Sequence, residues 1–269
     1  MYRTFFQLDE EPFNVTPDPR FLYASAAHRR ALDLLRYGIE SRKGFMTLTG
    51  EVGCGKTTVC RAVLDRLPEG THSALILNPA LTETQIIRAI LSDLGLPPRG
   101  RDRLTCIEQL NGFLLECLDR GENAAVIIDE SQDLSTAAME QVRLLSNLET
   151  DRHKLMQIIL AGQPELRERL LQPELRQLRQ RIMLACELTT LPPGEVPAYI
   201  NHRLRTAGAP PEVRFHPQAE ALVSEYGEGV PRRINTLCDR AMLAAYVRGG
   251  REVIEADARK AVEELAEWL

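Results

Sequence analysis

Up to about residue 190, short runs of apolar residues alternate with longer segments in which apolar side chains recur every three or four positions. The runs FMTLT (45–49), SALILN (73–78), AAVIID (124–129), LMQIILA (155–161) and IMLACEL (182–188) predict strands. Between them, Ile86, Ile87, Ile90, Leu91 and Leu94 mark one helical face, and Leu104, Ile107, Leu110, Phe113, Leu114 and Leu118 mark another. Strands that are apolar throughout must be covered on both faces, which predicts a parallel sheet with helices on either side. Right-handed crossovers then make a doubly wound α/β domain the expected architecture.

The pattern changes at TLPPGE (190–195). Beyond it no strand is predicted, only amphipathic helices over 195–207, 216–226, 231–248 and 255–268, punctuated by Pro210-Pro211, Gly227 and Gly249-Gly250. A boundary near Leu191 therefore separates an α/β part from an all-helical part.

Composition narrows the function classes. Of the 269 residues 44% are hydrophobic, and 33 basic side chains face 38 acidic ones for a net charge of −5. That balance excludes a general coat for nucleic acid, which needs a large basic excess. Lysine is scarce: Lys43, Lys56, Lys154 and Lys260 are the four in the chain, leaving 29 arginines. Six cysteines (Cys54, Cys60, Cys106, Cys117, Cys186 and Cys238) form no CxxC pair, which predicts free thiols rather than a zinc ribbon or disulfide framework. The opening MYRTFFQLDEEPF carries acids where a signal peptide is basic, and no apolar run approaches the ~18 residues of a membrane span. The expected location is cytoplasmic.

One of the four lysines sits in a motif. GEVGCGKTT (50–58) contains G-x-x-x-x-G-K-[ST], preceded by a predicted strand and followed by the helical pattern TTVCRAVLDRL. Gly50, Glu51, Val52, Gly53, Cys54 and Gly55 would turn successive backbone N–H groups toward phosphate, with the helix N-terminus at Lys56, Thr57 and Thr58 adding its dipole. Lys56 would reach the β- and γ-phosphates of a nucleotide, and the Thr57 hydroxyl would coordinate Mg2+. Some 70 residues on, AVIIDE (125–130) runs four apolar strand residues into Asp129, at the carboxyl end where α/β sheets bind ligands. Asp129 is the second candidate metal ligand, and Glu130 is the candidate to orient a water against the γ-phosphate.

These motifs and their surroundings resemble the AAA+ ATPases of the general secretion pathway protein A (ExeA/GspA) type, including the MSHA-pilus relatives. The resemblance covers nearly the whole chain. FFQLDEEPFNVTPDPRFLYASAAHRRALDLLRYGIESRKGFMTLTGEVGCGKTT is similar to the family's N-terminal signature and phosphate loop, and IIDESQDLS (127–135) to its acidic motif. LAGQPEL (160–166), LRQRI (178–182) and GVPRRINTLCDRAM (229–242) also match the family pattern.

The resemblance implies an AAA+ P-loop core over 41–190, a small all-α lid over 191–269 and an N-terminal adenine-side arm and helix over 1–40, with ATP and Mg2+ bound between core and lid. It implies that Phe13 to Tyr23 line the adenine pocket and that Gln163 senses the γ-phosphate, where Asn or Thr is commoner. Arg232, with Arg233 as the neighbouring alternative, takes the lid arginine's place on the nucleotide. Arg181, with Arg179 and Arg176 on the helix 165–181, takes the place of an arginine finger for the next subunit, so self-association through the ATP sites is implied.

Longer family members continue into a membrane helix and a peptidoglycan-binding region, whereas this sequence ends in EELAEWL (263–269) with no span of its own. A membrane-associated secretion, pilus or exopolysaccharide assembly partner would then supply any inner-membrane attachment. The alternative is an ATP-dependent DNA-binding adaptor of the transposition-helper type, reading DNA phosphates with Arg167, Arg169, Arg176 and Arg179. A third reading is a nucleotide-binding interaction module with negligible turnover.

Overall fold

The computed structural model describes residues 2–77 and 80–265. Asn78, the last residue of the run 73–78, and the end of the helix predicted over 255–268 lie outside the described residues. In chain order the first elements are α1 (Tyr2–Phe5), α2 (Ala26–Glu40), β1 (Phe45–Gly50), α3 (Lys56–Leu64), β2 (Thr71–Ile76), α4 (Glu83–Asp93), α5 (Arg103–Asp119), β3 (Asn123–Ile128), α6 (Thr136–Leu145) and β4 (Gln157–Gly162). They are followed by α7 (Pro164–Leu170), α8 (Arg176–Arg179), β5 (Ile182–Leu188), α9 (Val196–Thr206), β6 (Arg214–Phe215), α10 (Pro217–Gly227), α11 (Pro231–Arg248), β7 (Glu252–Val253) and α12 (Glu255–Leu265).

Two compact units divide the chain, one of residues 29–51 and 59–188 and the other of residues 1–28, 52–58 and 189–269. The first is built on a five-stranded sheet in the order β2-β3-β4-β1-β5, with every pairing parallel. β3, β4 and β1 are central and buried along almost their whole length, as their largely apolar sequences require. β5, at one edge, alternates exposed and covered positions instead, and leaves Met183 61% exposed. On one face Ile86, Ile87, Ile90 and Leu91 of α4 and Leu110 and Leu114 of α5 pack with Val126, Ile128, Ile158 and Leu160. Local chemistry sets the helix starts: Thr82 and Gln85 form a reciprocal capping box on α4, and Asp102 and Ser135 cap α5 and α6. The buried Gln157 side chain accepts the Gly44 N–H at 2.8 Å, so the polar group at the start of β4 is satisfied.

Three sequence expectations change here. Leu104, counted in the apolar face of α5, is 65% exposed at the first turn, where the helix has not yet met the sheet. The single helix expected over 165–181 is broken into α7, a 3-10 turn at Pro173–Leu175 and α8, because Pro173 can neither donate a helical hydrogen bond nor accept the preceding turn. Leu155 and Met156, read as the start of a strand, are buried but precede β4.

The second unit packs α9 to α12 around Ile234, Leu237, Cys238, Ala241, Met242 and Ala245 of α11. α1 closes on it through Phe5, whose ring lies 5.3 Å from that of Tyr246, and through Tyr2, whose hydroxyl donates to Asp239 at 2.7 Å. The part expected to be all-helical contains a two-stranded parallel pair, β6 with β7. At two residues each, they are too short to imprint an alternation on the sequence. Buried Arg203 fixes the N-terminal arm by donating to the carbonyls of Pro12 and Asn14, and lies over the Phe21 ring at 4.8 Å. All six cysteines are buried free thiols.

Candidate nucleotide site

The phosphate motif occupies the turn between β1 and α3, with Lys56 as the first residue of the helix and 6% exposed. Gly53 and Gly55 flank Cys54 with φ of +81° and +94°, conformations that L side chains rarely adopt. At Gly53 space adds a second reason: a Cβ would lie 2.7 Å from Cβ of Arg232. Arg232 stands in the first turn of α11, and its N–H donates to the Gly53 carbonyl at 3.2 Å. Its neighbour Arg233 is instead paired with Glu228. His28 reaches the same turn, its Nε2 3.1 Å from the Cys54 carbonyl oxygen. Within this unit, the loop, Arg232 and His28 therefore come together. Phe13 is 2% exposed and packed edge-on to Phe215, while Val15 is 53% exposed.

In the sheet unit, β3 delivers Asp129 and Glu130 and the adjacent β4 delivers Gln163 to the same carboxyl end. Asp129 is 2% exposed; its N–H donates to the Ile76 carbonyl at 2.8 Å, and its Oδ1 accepts the Glu130 N–H at 2.9 Å. Glu130 sits in the left-handed region at φ 50°, ψ 38°, a conformation costly for a residue with a Cβ. Two amides hold its carboxylate: Gln132 Nε2 donates to Oε2 at 2.9 Å and Gln163 Nε2 to the same oxygen at 3.3 Å. Gln132 Oε1 accepts the Gln163 N–H at 3.0 Å, and Arg169 donates to the Gln132 carbonyl. Sequence reasoning found Glu130 and Gln163 but not Gln132, although Gln132 lies only two residues past Glu130.

Arg181 lies two residues past α8, just before β5, and donates to the Ser146 hydroxyl at the end of α6. Arg179 donates to the Leu171 carbonyl at 3.2 Å. A separate cluster of His72, Cys117 and Glu122 has its ligand atoms within 4.8 Å of one another, but Arg120 donates to both Glu122 and the Cys117 sulfur. Among the described residues no helix is long and apolar enough to cross a membrane.

Residues 39–170 match the family model described as an AAA domain. The chain is 43% identical over 267 residues to general secretion pathway protein A of Aeromonas hydrophila, which covers 99% of this chain and 49% of that protein. It thus spans about half the length of the curated relative it matches. The fold is similar to that of the ORC2 protein of Aeropyrum pernix in its ADPNP–ADP complexes, with TM-score 0.73 and 20% identity over 96% of this chain and 72% of that one. It is also similar to the RuvB Holliday junction branch migration motor of Thermotoga maritima, with TM-score 0.59 and 19% identity over 88% of this chain and 69% of that one. The glycine-rich turn on a parallel sheet of this order and the sequence matches agree: residues 39–170 form an AAA-type domain, and the chain is similar along nearly its full length to part of general secretion pathway protein A.

Proposed function

We propose that the protein binds ATP with Mg2+ and hydrolyses it as a motor or switch in secretion, pilus or exopolysaccharide assembly. The observation that carries this reading is the carboxyl end of β3 and β4, where buried Asp129 is followed by a Glu130 carboxylate aimed by two glutamine amides. The donor set fits the group: glycines at positive φ around a buried lysine suit a polyphosphate, and a hydroxyl with a carboxylate suits a hard divalent cation. Mg2+, when bound, offsets charge on the β- and γ-phosphates.

The chain's own residues do the rest. Residues 50–58 bind the phosphates, Lys56 by charge and the loop by its N–H groups, and Thr57 and Asp129 hold the cation. Glu130 orients the attacking water, and Gln163 reports on the γ-phosphate while holding Glu130 in place. Arg232 contacts the nucleotide, consistent with its place against Gly53 and with Arg233 being engaged by Glu228. Arg181 serves as a finger to the next subunit's nucleotide, which requires it to exchange Ser146 for that phosphate. In this reading residues 1–40 form the adenine-side arm, 41–190 the ATPase core and 191–269 the lid. The client is a secretion or pilus assembly partner at the inner membrane, supported by the identity to general secretion pathway protein A.

Glu130→Gln should leave ADP and ATP binding within about twofold of wild type and lower turnover at least about 10³-fold, because the water loses its base while the phosphate contacts stay. Lys56→Ala should lose binding itself. Phosphate release and calorimetric titration measure both, and full turnover in Glu130→Gln would reject the mechanism.

A further inference from the structure

His28 is 3% exposed, and both of its ring nitrogens are engaged within one unit. Nδ1 lies 2.7 Å from the Ser25 hydroxyl oxygen and Nε2 lies 3.1 Å from the Cys54 carbonyl oxygen. A carbonyl can only accept, so Nε2 carries the proton. Nδ1 is then bare and accepts from the Ser25 hydroxyl, whose oxygen in turn accepts the His28 backbone N–H at 3.3 Å. One tautomer satisfies the whole chain of donors and acceptors; the Cys54 carbonyl selects it and the Ser25 hydroxyl supports it by donating to Nδ1. Burial holds the ring below the ordinary histidine value of 6.5, with the bond to the Cys54 carbonyl and then Glu195 pulling the other way.

The position of that bond in the loop gives it a consequence. The Cys54 carbonyl shares its peptide plane with the N–H of Gly55, and none of the peptide bonds among the described residues is cis. In a trans peptide the C=O and N–H point in opposite directions. Drawing the oxygen toward His28 therefore turns the Gly55 N–H away from the ring. Gly53 and Gly55 on either side lack the Cβ that would limit rotation of that plane.

We propose that His28 is a positioning residue for the phosphate loop: through the Cys54 carbonyl it orients the Gly55 amide to donate to a phosphate oxygen, and Ser25 steadies the ring by donating to Nδ1. The proposal rests on the nucleotide reading of the loop. It concerns pre-organisation of one donor, so its effect falls on binding and on KM more than on saturated turnover.

The test uses the full chain with Mg2+·ADP and Mg2+·ATPγS in calorimetry and with ATP in steady-state kinetics. His28→Ala should weaken ADP binding and raise the KM for ATP about tenfold, the worth of one hydrogen bond to a charged group, with kcat changed less than about threefold. His28→Gln can present a side-chain amide N–H near the place of Nε2, and should recover most of the affinity. Ser25→Ala removes the donor to Nδ1 and loosens the ring, and should fall between the two. In the wild-type protein, nitrogen-detected histidine NMR at pH 7 should show His28 protonated at Nε2 and bare at Nδ1. That measurement needs no variant, so it holds if His28→Ala does not fold. A proton on Nδ1, an imidazolium, wild-type affinity in His28→Ala, or no recovery in His28→Gln would each overturn the proposal. If the wild type binds neither ADP nor ATPγS, the nucleotide reading falls and this proposal with it, whatever the tautomer.

Discussion

Glu130 shows how far a single residue can be read from sequence. Its place after four apolar strand residues and Asp129 marks it as a candidate at once, but its left-handed backbone and the paired amides of Gln132 and Gln163 come only from folding β3 beside β4. A strained conformation persists where surrounding bonds over-determine it, and here both amides hold the same carboxylate oxygen, Oε2. Gln132→Ala removes one donor to Glu130 and the acceptor of the Gln163 N–H together. It should lower turnover about tenfold while ADP affinity stays within about twofold, since the aim of the carboxylate suffers and the phosphate contacts do not. Unchanged turnover would show that Gln163 alone aims Glu130. His28 was not legible in the same way: it lies 26 residues before Cys54, and no spacing rule links them.

At the scale of elements, periodicity located the central strands well and the irregular connections poorly. β1, β3 and β4 are buried on both faces, so their sequences are continuous apolar runs; a break such as Pro173 ends a helix whose charges looked uniform on either side. Where β2 and β3 begin, His72 of β2 donates to Glu122 at 2.8 Å and Arg120 donates to the same carboxylate beside Cys117, while Arg42 donates to the Glu122 carbonyl. Arg120 foremost, then His72, lowers the Glu122 carboxyl from 4.5 to about 2. A carboxyl with a depressed folded-state pKa stabilises the fold above its unfolded value and loses that contribution as pH falls toward the folded one. The melting temperature of wild type should therefore exceed that of Glu122→Gln at pH 7, and the gap should close between pH 4.5 and about 2. A gap that does not change with pH would mean the pairing adds nothing that titrates. Cys117 is already engaged by Arg120, so this cluster is better explained as an ionic tie than as a metal centre.

For the whole molecule, the net charge of −5 and the fates of individual arginines bear on the DNA alternative. Of Arg167, Arg169, Arg176 and Arg179, two already donate to backbone carbonyls, Arg169 to Gln132 and Arg179 to Leu171. ATP should therefore produce no shift of duplex DNA at low salt, and a shift that fades as salt rises would establish a phosphate-binding stripe instead. The sequence by itself determined the α/β class and the strands around the phosphate motif, and it singled out Lys56, Thr57, Asp129 and Glu130 as candidates. These follow from local rules, because burial on both faces of a parallel sheet and the demands of a phosphate loop leave marks on consecutive residues. Only the tertiary structure decided the order β2-β3-β4-β1-β5, the pairing of β6 with β7, the tie of Arg232 to Gly53, and the enlistment of Gln132, His28 and Ser25. Apart from the short steps from Gln132 to Glu130 and from Ser25 to His28, these depend on which distant residues share a neighbourhood, and a hydrogen bond across 26 residues or more leaves no periodicity for a sequence to display.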